Sequence, residues 1–285
     1  MITGTRYRLA VEIARQTKLS GEIARVQAEI STGKKILAPS DDPTASATIS
    51  ELARRQAEEA AWMRNLDTAA IFASRADTAL ASVANRVTRA SELIIGARSG
   101  TLSQENRETL AAELRGIAND IATLAASRDQ NGNDLFRTDA PLEIPVHGGD
   151  TVAPVASRAT LFGSVSTAAG LRDLATIMSD AADAVEEPDP TLRAVATATA
   201  MDEINAAIAH VAAARGDQGV RANRIDELRE RFELSAISLD EQRGSLEGID
   251  LVDAMARLQG RQLGLQAAQA VFARINQSTL FDLLR

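Results

Sequence analysis

Apolar residues recur along most of this chain with a step of three or four, a spacing that predicts helix after helix. Near the start, Leu19, Ile23, Val26 and Ile30 step by 4, 3 and 4 and mark one face of a helix. Gly33 and Pro39 close that segment. Ser40-Asp41-Asp42-Pro43 opens the next, with Asp42 as N-cap and Pro43 at the first helical position. From Pro43 to about Arg98, Leu66, Ala73, Leu80, Val87 and Ile94 repeat every seven residues with no interior proline. The run predicts one helix of about 55 residues, about 80 Å long at 1.5 Å per residue. A helix of that length cannot fold back on itself and needs a partner along its flank. Ser99-Gly100 ends it. Helix resumes near Ser103, where Leu110, Leu114, Ile117, Ile121 and Leu124 step by 4, 3, 4 and 3.

Residues 131–166 have a different character, with Asn131-Gly132-Asn133, three prolines, Gly148-Gly149 and short β-leaning runs at 142–146 and 151–155. This stretch predicts a small hairpin or loop excursion. Helical spacing returns with Leu171, Leu174, Met178, Ala181 and Val185, breaks at Pro188-Asp189-Pro190, and continues through Ile204, Ile208 and Val211. Beyond Gly216 and Gly219 come Ile225, Leu228, Phe232, Ser235, Leu239, Gln242 and Leu246, and finally Leu251, Leu258, Leu265 and Phe272 at seven-residue intervals. The two halves mirror each other. The expected fold is mainly α, an elongated antiparallel helical bundle or coiled-coil rod with paired terminal helices and a small β-containing excursion. Its expected parts are a terminal-helix domain (1–42 with 247–285), a helical rod domain (43–130 with 167–246) and the 131–166 excursion.

Composition sharpens this picture. All seven prolines of the 285 residues fall in three windows, leaving 44–140 and 191–285 free of them. The 54 alanines allow helices to approach closely, which suits packing with only 3% aromatic residues. With no cysteine, disulfides, thiolate metal sites and cysteine nucleophiles are excluded. A net charge of −8 opposes a nucleic-acid partner. The basic pairs Lys34-Lys35 and Arg54-Arg55 read as solvated surface. No apolar run reaches the roughly 18 residues of a membrane span, and the N-terminus lacks the apolar centre of a secretory signal.

The search for chemistry returns little. His147 sits in a Pro/Gly loop and His210 on an Ala-rich segment, neither with a second ligand at metal spacing. Ser31-Thr32-Gly33-Lys34-Lys35 lacks the upstream glycine of a phosphate-binding loop and follows a helix rather than a strand. The pairs Asp41-Asp42, Glu58-Glu59 and Glu186-Glu187 are accounted for by capping and solvation. No catalytic residue, metal site or cofactor is expected, and an enzyme is the disfavoured reading.

Two motifs carry a resemblance. Ser31-Thr32-Gly33-Lys34-Lys35 followed by Pro39-Ser40-Asp41-Asp42-Pro43 resembles the flagellin superfamily, and within it the hook–filament junction branch of flagellin-like hook-associated proteins. Asn65, Ala69, Ala76, Ala79 and Leu80 resemble a further family segment, as does Gly132-Asn133-Asp134-Leu135-Phe136, with Asp134 where a tyrosine is usual. So do Gly219, Asn223, Ser245-Leu246, Ile249-Asp250, Ala254 and the closing Ser278-Thr279-Leu280 with Leu283-Leu284, although Gly248 replaces an acidic residue. The resemblance implies a structural protein of the bacterial flagellum, extracellular and exported without a cleaved signal peptide. It implies as partners other copies of the chain in a ring or helical assembly, an adjacent hook-associated protein and flagellin, and an export chaperone. It also implies an inner tube of terminal helices with the central excursion pointing outward. A short filament flagellin is the first alternative, and a secreted helical adhesin or interaction rod the second.

Seam residues suggest how such an assembly would hold together. Leu19, Ile23, Val26 and Ile30 of the first helix are the expected intramolecular partner of Leu251, Leu258, Leu265 and Phe272, with Met255, Gln262, Gln269 and Asn276 as companion row. Polar residues in a seam cost stability and restrict register. The last helix is therefore expected to order chiefly when neighbouring subunits surround it; the alternative is that its glutamines simply face solvent. The candidate assembly interface is this set of seam residues without Asn276, and the motif residues are Ser31, Gly33, Lys34, Ser40, Asp41, Asp42 and Pro43.

Overall fold

Seven helices and two small antiparallel sheets make up the computed structural model, which describes residues 2–99, 102–129, 132–138 and 140–282. Gly100, Asn131 and Leu283-Leu284, assigned roles above, lie outside the described residues, as do the side chains of 275–282, among them Asn276. The order is α1 (Ile2–Thr32), α2 (Pro43–Ala97), α3 (Gln104–Ala125), β1 (Ile144–His147), β2 (Asp150–Val152), α4 (Arg158–Phe162), β3 (Val165–Thr167), β4 (Gly170–Arg172), α5 (Leu174–Glu186), α6 (Pro190–Glu247) and α7 (Leu251–Asp282). The chain forms two compact units, residues 1–57 with 235–285 and residues 58–234, and α2 and α6 supply residues to both.

Helix boundaries follow the capping chemistry. The Asp42 carboxylate accepts the Ala45 N–H at 2.9 Å, and Pro43, which needs no N–H partner, starts the 55-residue α2. Ser103 Oγ accepts from Asn106 N at 3.2 Å to start α3. Asp189 accepts from Thr191 N at 2.7 Å and Leu192 N at 3.1 Å ahead of α6. That helix runs for 58 residues straight through Gly216 and Gly219, where no close contact demands glycine.

In the 58–234 unit, α3 packs against α5, and Leu80, Val87 and Ile94 of α2 share one buried cluster with Leu114, Ile117 and Ile121 of α3. Ile177, Met178, Ile204 and Val211 complete it, and Phe136 meets Phe162 edge to face at 5.1 Å. Leu66, Ala69 and Ala73 form a second cluster with Ile225 and Phe232 and the inward residues of the first hairpin, Ile144, Val146 and Val152. Alternation of buried and exposed side chains along β1 matches that role.

The excursion differs from expectation in extent. The first hairpin pairs Ile144 with Val152 and turns at Gly148-Gly149, both with positive φ, which glycine alone adopts without strain. A second hairpin, β3 with β4, carries the irregular region on to Arg172. Leu171, expected to begin a helix, sits in β4 and is exposed; α5 starts at Leu174, capped by Asp173. Arg172 fixes this hairpin on α6: its Nη1 donates to both carboxylate oxygens of the buried Glu203 at 2.8 and 2.7 Å, and Nη2 pairs with Asp180.

Truncation should separate the core from the surface. Leu114→Ala, at a fully buried site, is expected to lower stability by about 2–5 kcal/mol in urea unfolding, and Leu192→Ala, at an exposed one, by less than about 0.5 kcal/mol.

Candidate assembly surface of the terminal helices

A helix pair buries one stripe from each partner, and α1 with α7 does so sparingly. Val26 of α1 and Ala254 and Ala268 of α7 are buried; Leu19, Ile23 and Ile30 and, opposite, Leu258, Leu265 and Phe272 are half-buried. The closed face of α7 runs Ala254, Leu258, Arg261, Leu265, Ala268, Phe272, stepping 4, 3, 4, 3 and 4. Leu258, Leu265 and Phe272 of the leucine row lie on this face, while its companion within the pair is not Met255, Gln262 and Gln269. Those three residues are exposed, and so is Leu251. The physical reason is size and charge. Ala254 and Ala268 let the backbones approach, and Arg261 between them pairs with Glu22 of α1. The glutamines face solvent in the single chain, which corrects their placement in the intramolecular seam.

Charge supplements this thin apolar contact. Arg257 reaches the buried Glu29 at 3.4 Å, and Arg25 pairs with Glu29 at 3.2 Å and with Asp41 at 3.0 Å. Both guanidinium groups stay partly exposed, so solvent screens these pairs, and they set register more than stability. Outside the seam, Val252 is 80% exposed and Leu263 68%. Val271 and Met255 on α7, and Tyr7, Val11 and Ile13 on α1, are about half exposed or more. These helices carry more apolar side chain outward than they bury.

The motif residues form a clasp at the inner end of the pair. Gly33 adopts φ 69°, a left-handed value that ends α1 in the manner of a glycine C-cap. The chain then crosses the α6–α7 connection: Lys35 N donates to Glu247 O at 2.8 Å, and Ile249 N donates to Gly33 O at 3.2 Å. Lys34 Nζ meets the Glu247 carboxylate at 2.7 Å, and Arg243 Nε holds its other oxygen at 2.9 Å. Lys34 is thus a structural cation rather than solvated surface. The Asp41 carboxylate accepts the N–H groups of Leu37 and Ala38, both at 3.0 Å, which fold the turn before α2 and hold its carboxyl below the usual carboxylate range. Ser31 and Ser40 are exposed at the rims of this clasp. Leu52 and Leu239 are buried in the same unit. Sequence reasoning missed Glu247, whose role depends on Lys34 and Lys35, some 210 residues away along the chain.

Gly248 is fixed by space. A Cβ there would lie 2.5 Å from the Gly244 carbonyl oxygen. The acidic residue usual at this position in the motif is incompatible with this backbone. Neither histidine joins a chemical site. His147 packs edge-on against Trp62 at 4.5 Å, and His210 Nε2 hydrogen-bonds the Leu161 carbonyl at 3.0 Å. Among the described residues no group of three metal-ligating side chains converges, and no helix is long and apolar enough to cross a membrane.

Comparison with known proteins gives a consistent result. Residues 10–140 match the model of the bacterial flagellin N-terminal helical region, and residues 201–284 that of the C-terminal helical region. The chain is 26% identical to flagellar hook-associated protein 3 of Salmonella typhimurium, covering 94% of this chain and 95% of that protein. It is 22% identical to flagellin FlaB2 of Treponema pallidum over 90% of each. The structure of a putative flagellar hook-associated protein from Vibrio parahaemolyticus shares the fold, with a TM-score of 0.65 and 19% identity over 73% of this chain and 100% of that one.

The clasp makes two predictions. Lys34, and next Arg243, lower the pKa of Glu247, so its contribution is complete above the ordinary carboxylate range near pH 4 and is lost as pH falls through the lowered folded value. Glu247→Gln should therefore be less stable than the parent by about 1 kcal/mol at neutral pH, after allowance for solvent screening, and the gap should close in acid. Urea midpoints followed by circular dichroism at both pH values check this. Gly248→Ala should cost about 1–3 kcal/mol through the contact with Gly244, measured in the same way.

Proposed function

We propose that this chain, which belongs to the bacterial flagellin family, is a structural component of the flagellum that joins hook to filament by polymerising through its helices. The single observation that carries the assembly part is the terminal pair, which exposes Val252, Leu263, Val271, Tyr7, Val11 and Ile13. Apolar rows of this size on paired helices mark an interaction surface. Lateral packing against copies of the same pair would bury them, with Met255, Gln262 and Gln269 available between helices to restrict register. The assembly interface is thus Leu19, Ile23, Val26, Ile30, Leu258, Leu265 and Phe272 within each pair, and Leu251, Met255, Gln262, Gln269 and the other outward residues between pairs. The name of the Salmonella relative, a flagellar hook-associated protein, supports a place beside the hook over one in the filament. The protein works outside the cell, is exported without a cleaved signal, and meets a hook-associated protein, flagellin and an export chaperone. It performs no catalysis.

Deletion of the gene in its host tests this directly. Hooks without filaments, with flagellin shed into the medium, are expected by electron microscopy; hooks bearing normal filaments would contradict the junction role, and the loss of filament subunits themselves would identify a filament flagellin. A second test concerns the surface. Gln262→Leu with Gln269→Leu enlarges the exposed apolar row and should increase self-association of the purified chain in light scattering, whereas Val252→Asp with Leu263→Asp should leave the helix content unchanged and block assembly.

A further inference from the structure

Three arginines from three different elements line one cleft at one end of the 58–234 unit. Arg98 follows the last turn of α2, Arg107 lies in the first turns of α3, and Arg193 in the first turn of α6. With Ala97, Leu102, Pro190 and Thr197 they enclose about 310 Å³, and no carboxylate lines this space. That is unusual in a chain of net charge −8, in which arginines such as Arg89, Arg115, Arg172 and Arg229 are each paired with an acidic residue.

Two of these guanidinium groups are held in place without a counter-ion. Arg107 donates from Nη1 to the Leu102 carbonyl at 2.9 Å. Arg193 donates from Nη1 to the carbonyls of Glu187 at 2.7 Å and Pro188 at 3.2 Å. Backbone oxygens thus hold both guanidinium groups through Nη1 while leaving their other N–H donors without a carboxylate in contact. Nearby acids are committed elsewhere. Glu186 is bound by Arg115 at 2.8 and 2.7 Å. Glu187 accepts the Asp189 N–H at 3.2 Å, and Glu108 accepts from Gln104 at 2.9 Å. Asp189 feels the Arg193 charge, but its Oδ1 caps α6. Among the described residues, no carboxylate lies in ion-pair contact with any of the three arginines.

We infer that this cleft is a binding site for carboxylate side chains carried by an acidic segment of an adjoining protein subunit. The inference rests on the flagellar reading above and specifies one contact of that assembly. Planar forks presented from separate elements match carboxylates in pairs, and their fixed positions reduce the ordering cost of association. The terminal-helix surface supplies apolar contact; this cleft supplies charge-selected contact, which discriminates among neighbours more than it adds affinity.

The test uses the full chain and an acetylated hexaglutamate peptide, followed by calorimetry at low salt. Long-range repulsion from a chain of net charge −8 opposes this peptide everywhere except at a local cationic site. Arg98 makes no hydrogen bond that the fold depends on, so Arg98→Glu should fold normally and bind at least about tenfold more weakly, while Arg64→Ala, an exposed arginine elsewhere in the unit, should bind as the parent does. Binding should also weaken as salt is raised. Absence of peptide binding, binding unchanged by Arg98→Glu, or complete displacement by millimolar inorganic phosphate would overturn the inference; the last would identify a phosphate site. In the host, Arg98→Glu should reduce swimming and weaken filament attachment. Normal swimming by this variant in a host whose deletion strain lacks filaments would overturn the cleft's role alone. Normal filaments in the deletion strain would overturn the flagellar reading itself.

Discussion

An α-helix paired with one other helix can bury only a narrow stripe of its surface, and in the terminal pair that stripe is short of large apolar side chains. Val26, Ala254 and Ala268 are its buried apolar members, flanked by half-buried leucines, isoleucines and a phenylalanine. Burying a valine or leucine fully is worth about 1.5–3 kcal/mol, and burying alanine much less. Against this stands the ordering of a 31-residue and a 32-residue helix, with Gly21, Gly260 and Gly264 each costing up to about 1 kcal/mol relative to alanine. The pair is therefore held weakly by its own contacts. The same sequence that leaves it weak alone places Val252, Leu263 and Val271 where a second copy could cover them.

The 58–234 unit is built on the opposite balance. Its α2 stripe mixes alanine with larger residues, Ala69, Ala73, Ala76, Leu80, Val83, Val87, Ala90 and Ile94, all buried, and α3, α5 and α6 pack against it. One unit carries its own core, and the other buries little and presents apolar side chains outward. The clasp at Lys34, Lys35 and Glu247 closes the loop between α1 and α2 onto the connection between α6 and α7. This explains why a motif with no chemistry of its own can be a family signature: its residues make the backbone crossing that pairs the chain's two ends.

Much of this architecture was legible in the sequence, because long helices announce themselves by proline-free heptads and by caps. Asp42-Pro43 and Asp189-Pro190 start α2 and α6 as their chemistry dictates, and Gly148-Gly149 marks the first hairpin. The second hairpin was hidden, because three-residue strands give no alternation to read, and Leu171 fell by chance in phase with the α5 stripe. The α7 seam was misread for a different reason. Its leucine row is compatible with either neighbouring companion row, and only the partner helix, through Glu22 and close backbone approach, selects Ala254, Arg261 and Ala268 over Met255, Gln262 and Gln269. The arginine cleft was invisible, since its members are about 9 and 86 residues apart along the chain.

The central claim is that the terminal helices are completed by neighbouring subunits rather than by their own pairing. Amide hydrogen exchange measured on the soluble chain and again on its assembled form tests it most directly. The account predicts rapid exchange along 251–274 in the soluble chain, slow exchange around Leu114, Ile121 and Met178, and strong protection of 251–274 once assembled. Slow exchange throughout 251–274 in the soluble chain, unchanged on assembly, would contradict it.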